Sequence, residues 1–476
     1  MQEVVQAGRP APDRALRPRR FLLRTFGCQM NAHDSEKVES LLLHHGYLPA
    51  AGPSDAALWI VNTCPIREKA EHRLYTDLGL LRAWKAEAPG RVVGVGGCVA
   101  QQQGDALLAR FPQLDFVFGT HNLRLVPALA EAAAAGARAA RTEETRSLDR
   151  FDLPARHPSL EGRGPGRAYL TVMEGCDMFC SFCIVPSTRG RELSRPAAAI
   201  VAEAEALAAR GVRELLLLGQ TVNAYGRHAS RRGRSDAEGT VPFASLLRQL
   251  ARIPGIDRLR YLSPHPVFFD DDLVAAHGDL GALCPHVHLP VQSGSDAILA
   301  AMRRRYGRDE YLALVTRLRS ARPDVALTTD VIVGFPGESD ADFEDTLALV
   351  REVAFVDAYT FKYSPRPGTS AADRTDTVPE TVKQARLEAL QELLRGLTLA
   401  AHRARVGDTT EVLLEGTSRR GDQPSGRDPY HRVVNLVPGS PGSPGDVVAV
   451  QIVDATPHSL IGEPCPPLAP PFAHPH

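Results

Sequence analysis

The stretch EGCDMFCSFCIVPSTRG, residues 174–190, sets Cys176, Cys180 and Cys183 in a C-x3-C-x2-C spacing. An apolar, strand-like run, AYLTVME, leads directly into it. Three thiolates can bind three irons of a cubane 4Fe–4S cluster and leave the fourth iron open to a small ligand, whereas ferredoxin-type clusters close that position with a fourth cysteine. Zinc is the competing occupant. A structural zinc site shows a fourth Cys or His at short range, and none follows here. The spacing therefore points to an iron–sulfur cluster with one open coordination position.

The chain holds eight cysteines in 476 residues. Its first twenty residues carry no apolar h-region, which argues against a secretory signal and places the chain in the cytoplasm. Thiols stay reduced there, and clustered cysteines read as ligands rather than disulfides. Cys28, Cys64 and Cys98 each end a similar unit: RFLLRTFGC, ALWIVNTC and RVVGVGGC. They lie 36 and 34 residues apart, about the length of a βαβ unit. Amphipathic helical patterns, SEKVESLLLHHG and REKAEHRLYTDLGLLRAW, follow the first two. If the strands are parallel neighbours, the three cysteines emerge at one carboxyl edge, where open α/β sheets place their ligands. Cys284 and Cys465 sit in no motif and read as incidental.

The elements that must position these residues form three regions, giving an α/β fold class. Residues 19–135 read as an N-terminal parallel-sheet α/β domain, and an Ala-, Arg- and Pro-rich linker follows from Gly136 to Arg167. Residues 162–400 alternate strands (AYLTVME, ELLLLGQ, RLRYLS, HVHLPVQ, ALTTDVIVGF, DAYTFKY) with helical patterns. Six strands with crossovers predict a partial (β/α)6 barrel. GRHASRRGRSDAEGT reads as a polar loop excursion within it. Residues 404–466 carry short alternating strands between Gly, Pro and Asp turns, which predict a small all-β barrel. The Arg-rich start and Pro-rich end read as disordered arms. The formal net charge is −1, so a nucleic-acid partner must be met by local basic patches. No run of eighteen apolar residues occurs, so no membrane span is expected.

The cysteine loop resembles that of radical S-adenosylmethionine (SAM) enzymes, with Phe182 as the usual aromatic before the last cysteine. The resemblance narrows to the methylthiotransferase family through TFGCQMNAHDSE, NTCPIREKAE, VGGCVAQ, VFGT, CSFCIVPSTRGRELSR, GQTVNAYG, LPVQSGSD, TDVIVGFPGE and YTFKYSPRPGT, colinear over about residues 20–460. It implies a radical SAM core and a C-terminal TRAM barrel that binds tRNA. It implies two 4Fe–4S clusters and SAM as cofactors. Cys176, Cys180 and Cys183 hold the cluster that cleaves SAM, and Cys28, Cys64 and Cys98 hold a second that carries sulfur. No catalytic residue beyond the cluster ligands is implied. The expected reaction adds a methylthio group to carbon 2 of N6-isopentenyladenosine at position 37 of tRNA, and IREKAEHR, residues 66–73, favours that type. Sister enzymes acting on N6-threonylcarbamoyladenosine or on a ribosomal aspartate, and a non-catalytic iron–sulfur RNA-binding protein, stay open.

The resemblance also places SAM contacts at Phe182, Gly219, Gln220 and Asn223, at Gln292 and Ser293, and at Asp330 and Gly334. Arg189 and Arg191 are candidates for substrate phosphate or cofactor carboxylate. Arg427 and Arg432, with His431, are candidates for gripping the tRNA backbone, and MRRRYGR, residues 302–308, is a candidate phosphate-facing patch. The expected partners are a tRNA anticodon stem-loop, an electron donor such as flavodoxin or ferredoxin, and a sulfur-delivery protein. The chain is expected to be a monomer. Two departures stand out: Ser263-Pro264-His265-Pro266 where the family often has Ser-His-Pro, and an irregular loop before Gly426-Arg427.

Overall fold

The computed structural model describes residues 19–64, 68–160, 166–227, 239–418 and 421–466. The two arms, most of the polar excursion at 226–240 and the side chains of 65–72, including most of IREKAEHR, lie outside the described residues. The chain divides into two compact units. One runs to Glu143 and includes Leu153–Ser159; the other comprises Glu144–Asp152 and Leu160 onward.

The first unit is built on β1 (Arg20–Thr25), β2 (Leu48–Pro49), β3 (Leu58–Thr63), β4 (Val92–Gly97), β5 (Phe116–Phe118) and β6 (Ala139–Arg141). All pairings are parallel, in the order β2-β1-β3-β4-β5-β6. A parallel sheet covered on both faces needs near-continuous apolar strands, and every residue of β4, VVGVGG, is buried. Val93 and Val95 pack with Val61, Leu74, Leu78 and Leu107. The glycines between them make room for aromatics: a Cβ on Gly94 would fall 2.3 Å from the Phe116 ring, and one on Gly96 2.0 Å from that of Phe118. One sequence expectation is corrected here. The segment read as linker contains β6, the edge strand beside β5. The third cysteine opens a helix of its own, Cys98–Gln103.

The second unit carries β7 (Arg167–Thr171), a short antiparallel pair β8 (Met173–Glu174) and β9 (Leu193–Ser194), then β10 (Glu214–Leu218), β11 (Arg258–Tyr261), β12 (His286–His288), β13 (Ala326–Val333) and β14 (Asp357–Lys362). Parallel sheets β11-β10-β7 and β12-β13-β14 meet through one parallel bridge, Leu259 to Leu283. Together they form the open six-strand barrel read from the sequence. After the helix Glu380–Arg403, β15 (Thr409–Thr417), β16 (Pro424–Arg427), β17 (Val433–Leu436), β18 (Val447–Ala455) and β19 (Leu460–Pro464) close into a barrel. Its core is Val412, Leu414, Val434, Leu436, Val450, Ile452 and Leu460.

The small barrel docks on the amino-terminal ends of the large one. Glu214 opens β10, and its buried carboxylate faces Arg260 at 3.4 Å, Arg167 at 3.7 Å and Arg258 at 3.9 Å. These arginines reach the small barrel. Arg258 donates to the carbonyls of Arg427 and Glu411, Arg260 donates to that of Pro429, and Arg167 pairs with Glu415 at 2.7 Å. His431 lies against His286, ring centroids 5.3 Å apart. The arginines expected to grip the tRNA backbone have partners within this unit. Arg427 is engaged by Glu415 and the His431 carbonyl, and Arg432 by Asp428 beneath the Tyr430 ring. These groups join two parts of one unit.

Candidate functional site

In the first unit, Cys28, Cys64 and Cys98 follow β1, β3 and β4, three adjacent parallel strands. Cys64, on the central strand, lies within hydrogen-bonding reach of the thiols of both Cys28 and Cys98. Those two thiols, and then burial, hold its own proton on to well above the ordinary thiol range. The surroundings explain the convergence. Asn62 donates to the Asn31 carbonyl and to Ser35 Oγ, both at 2.9 Å, and accepts from Asn31 Nδ2 at 3.3 Å. Asn31 Oδ1 accepts from the Cys28 thiol at 3.2 Å. Gly27 and Gly97, each one residue before a cysteine, have φ of 138° and 95°. A Cβ at Gly27 would come 2.5 Å from Cys64 Cβ, and one at Gly97 2.3 Å from Asn62 Oδ1. Only glycine tolerates both that backbone and that approach. Cys28 also occupies the residue just before the helix Gln29–His44.

In the second unit, Cys176, Cys180 and Cys183 lie in the loop after β8. Cys176 Sγ is 3.0 Å from Thr221 Oγ1, and Cys180 Sγ accepts from buried Arg304 at 3.4 Å. Burial foremost, then the neighbouring thiols, pushes the Cys183 thiol up to about 12; burial likewise raises Cys176. The loop packs with Met178, Ala224 and Phe268. Among the described residues no group of three or more His, Cys, Asp or Glu is arranged as ligands of one ion. The case for a cluster rests instead on the donor set. Each site offers three cysteine thiols, one set just past the carboxyl ends of β1, β3 and β4 and the other in the loop that leaves β7 and β8, a donor set that fits an iron–sulfur cluster with an open position. Binding must displace the protons that these surroundings retain.

Most of the expected SAM residues lie just past the carboxyl ends of barrel strands, with Asp330 inside β13 and Phe182 in the cysteine loop. Gly219 and Gln220 follow β10; Gln220 Oε1 takes the Gly175 N–H, tying that strand end to the cysteine loop. Asn223 spends its amide on the backbone of His265, donating at 3.0 Å and accepting at 2.8 Å. Gln292, at φ 76°, shares backbone hydrogen bonds with Asp330 and Ile332. Ser293 Oγ lies 3.3 Å from Thr346 Oγ1. Asp330 pairs with His288 at 3.4 Å. Gly334, at φ 70°, donates to Glu338. Phe182 packs between the cysteine-loop cluster and that of Met302, Phe335 and Tyr363. Arg189 is buried, and Arg191 is clamped to Asp177. Sequence reading missed Thr221, Asn31, Asn62 and Arg304. Arg304 falls within MRRRYGR, where Met302, Arg304 and Tyr306 are buried while Arg303 and Arg305 are exposed. That alternation was the available signal, and it corrects the uniform phosphate-facing patch.

Comparison with known proteins agrees with this architecture. Residues 170–350 match the Radical SAM superfamily, residues 20–119 the Uncharacterized protein family UPF0004, and residues 403–465 the TRAM domain. The chain is 46% identical over 445 residues to the tRNA-2-methylthio-N(6)-dimethylallyladenosine synthase of Trichlorobacter lovleyi, covering 94% of this chain and 99% of the relative. It is 47% identical to the proteins of that name from Geobacter metallireducens (93% of this chain, 97% of the relative) and Cereibacter sphaeroides (94% and 98%). In fold it is similar to the radical SAM methyltransferase TsrM from Kitasatospora setae, solved with cobalamin and a 4Fe–4S cluster. The TM-score is 0.53 at 16% identity, covering 75% of this chain and 77% of that one. Two cysteine triplets, a six-strand barrel, a TRAM barrel and near-full-length identity lead to one assignment: the chain belongs to the tRNA-2-methylthio-N(6)-dimethylallyladenosine synthase family of radical SAM enzymes.

Proposed function

We propose that this chain is a radical SAM methylthiotransferase that places a methylthio group on carbon 2 of N6-isopentenyladenosine at position 37 of tRNA. The observation that carries the reading is the pair of cysteine triplets, one drawn from three adjacent parallel strand ends and the other from the single loop after β8. Cys176, Cys180 and Cys183 would hold one 4Fe–4S cluster, and Cys28, Cys64 and Cys98 the other. When bound, the clusters and SAM supply the radical chemistry and the sulfur. The protein's share is to orient, to exclude water and to set charge. Arg304 places a buried cation on Cys180 Sγ and Thr221 a hydroxyl on Cys176 Sγ, which orients the two sulfurs. Asn223 fixes the turn after β11, and Gln220 fixes the start of the cysteine loop. Phe182, Met178 and Phe268 wall the loop with apolar surface.

Gly219, Gln220, Gln292, Ser293, Asp330 and Gly334 are the SAM-facing positions in this reading, and Arg191 faces the substrate. The first domain, expected over 19–135, extends to take in β6 (Ala139–Arg141), and the others run 162–400 and 404–466. The small barrel binds tRNA through surface other than the Arg427–Arg432 joint. A low-potential electron donor and a sulfur-delivery protein complete the cycle in the cytoplasm, with the chain acting as a monomer. No helix among the described residues is long and apolar enough to cross a membrane. The test is anaerobic reaction of the reconstituted chain with SAM, a reductant and isopentenylated anticodon stem-loop RNA, then nucleoside mass spectrometry. The nucleoside should gain one methylthio group in place of hydrogen. The same gain on threonylcarbamoylated RNA alone would overturn the substrate assignment.

A further inference from the structure

Phe179 lies between Cys176 and Cys180, yet its ring is 42% exposed. Its φ is 51°, a conformation uncommon outside glycine, and the loop thus turns an aromatic ring outward. One ring face carries the Arg191 guanidinium, 4.8 Å from the centroid. That guanidinium is in turn held by the buried Asp177 of the same loop.

A second segment is fastened alongside. The Ser181 N–H donates to the Met302 carbonyl at 3.0 Å, and Ser181 Oγ to that of Ala301 at 2.8 Å. From there the chain alternates. Met302, Arg304 and Tyr306 point inward, while Arg303 and Arg305, both at φ 60°, are exposed. The cysteine loop therefore presents an aromatic ring backed by one guanidinium, beside a segment carrying two more. Single-stranded nucleic acids are bound by this combination, with bases stacking on rings and phosphates meeting cations. An acidic protein surface would use the arginines but would not need a phenyl ring held out to solvent.

We propose that Phe179, backed by Arg191 and flanked by Arg303 and Arg305, is a stacking platform for an unpaired nucleobase of the tRNA anticodon loop. The proposal rests on the tRNA reading above and adds to it a residue that positions the RNA.

The test places 2-aminopurine at each anticodon-loop position in turn and titrates the stem-loop RNA with reconstituted chain. Wild type should quench the fluorescence at one position. Phe179→Ala should abolish that quench and weaken Kd about tenfold, the scale of one lost base–aromatic stack. Phe179→Trp should keep both. Phe179→Leu, which retains apolar bulk without a ring, should behave like Phe179→Ala; iron content equal to wild type shows that the cysteine loop is intact. Binding of a stem-only duplex should not change. Unaltered quenching and Kd in both ring-less variants would overturn the proposal. So would normal RNA binding coupled with weakened binding of reduced flavodoxin, which would assign the surface to an electron donor. Failure of wild type to bind any anticodon stem-loop would instead overturn the tRNA reading, and this proposal with it.

Discussion

Asn62→Ala is the perturbation that most directly probes how the first unit brings its cysteines together. The Asn62 amide makes three buried hydrogen bonds: to the Asn31 carbonyl and Ser35 Oγ at 2.9 Å each, and from Asn31 Nδ2 at 3.3 Å. At about 1 kcal/mol net for each bond, the loss is about 3 kcal/mol. In a unit of this size that is roughly a 6–12 °C fall in Tm. The structural consequence matters more. Asn31 accepts from the Cys28 thiol, so releasing Asn31 frees the Cys28 end of the triplet from Cys64. After anaerobic reconstitution wild type should hold about eight irons per chain, as two 4Fe–4S clusters require, and the variant about four. Ser35→Ala, which leaves the Asn31–Asn62 pair intact, should cost about 1–2 kcal/mol and keep full iron loading. A folded Asn62→Ala chain with wild-type iron content and Tm would refute the claim that this amide organises the site.

Other consequences follow from the barrel floor and the buried imidazoles. Glu214→Gln leaves Arg167, Arg258 and Arg260 without their carboxylate, and should cost about 3–5 kcal/mol in denaturant unfolding, with earlier proteolytic release of the small barrel. Burial holds His286 and His431 neutral well below the ordinary imidazole range and pushes His277 down to about 3. The unfolded chain takes up protons near pH 6.5 while the folded chain does not. Stability should therefore be level above about pH 6.5 and fall below it, by about 1.4 kcal/mol per pH unit for each such histidine. Thermal melts between pH 7.5 and 5.5 check this, and His277→Gln, which removes one titrating group, should flatten the slope by about that amount.

The cysteines of both sites were legible because each follows an apolar strand. The repeat of strand, cysteine and helix needed only parallel neighbours to bring three of them to one edge, and β1, β3 and β4 are such neighbours. What escaped depends on contacts across the chain. Gly94 and Gly96 look like weak points in a strand until Phe116 and Phe118 are seen over them. Arg427 and Arg432 read as phosphate ligands because sequence alone hides their partners Glu415 and Asp428. Asp428, four residues before Arg432, was the visible hint of an internal pair. Arg304 was submerged in a basic run whose inward half is marked by Met302 and Tyr306. The Ala139–Arg141 strand read as linker because an edge strand of three small or charged residues carries little pattern of its own.

The two triplets divide the labour, and Cys64→Ala separates their roles in a single reaction. The reconstituted variant is given SAM, reductant and isopentenylated stem-loop RNA, and 5′-deoxyadenosine and the methylthio nucleoside are measured in the same reaction. 5′-Deoxyadenosine should still form and the methylthio nucleoside should not. Formation of the methylthio nucleoside by this variant, or loss of both products while Cys176, Cys180 and Cys183 still hold their cluster, would contradict this division of labour.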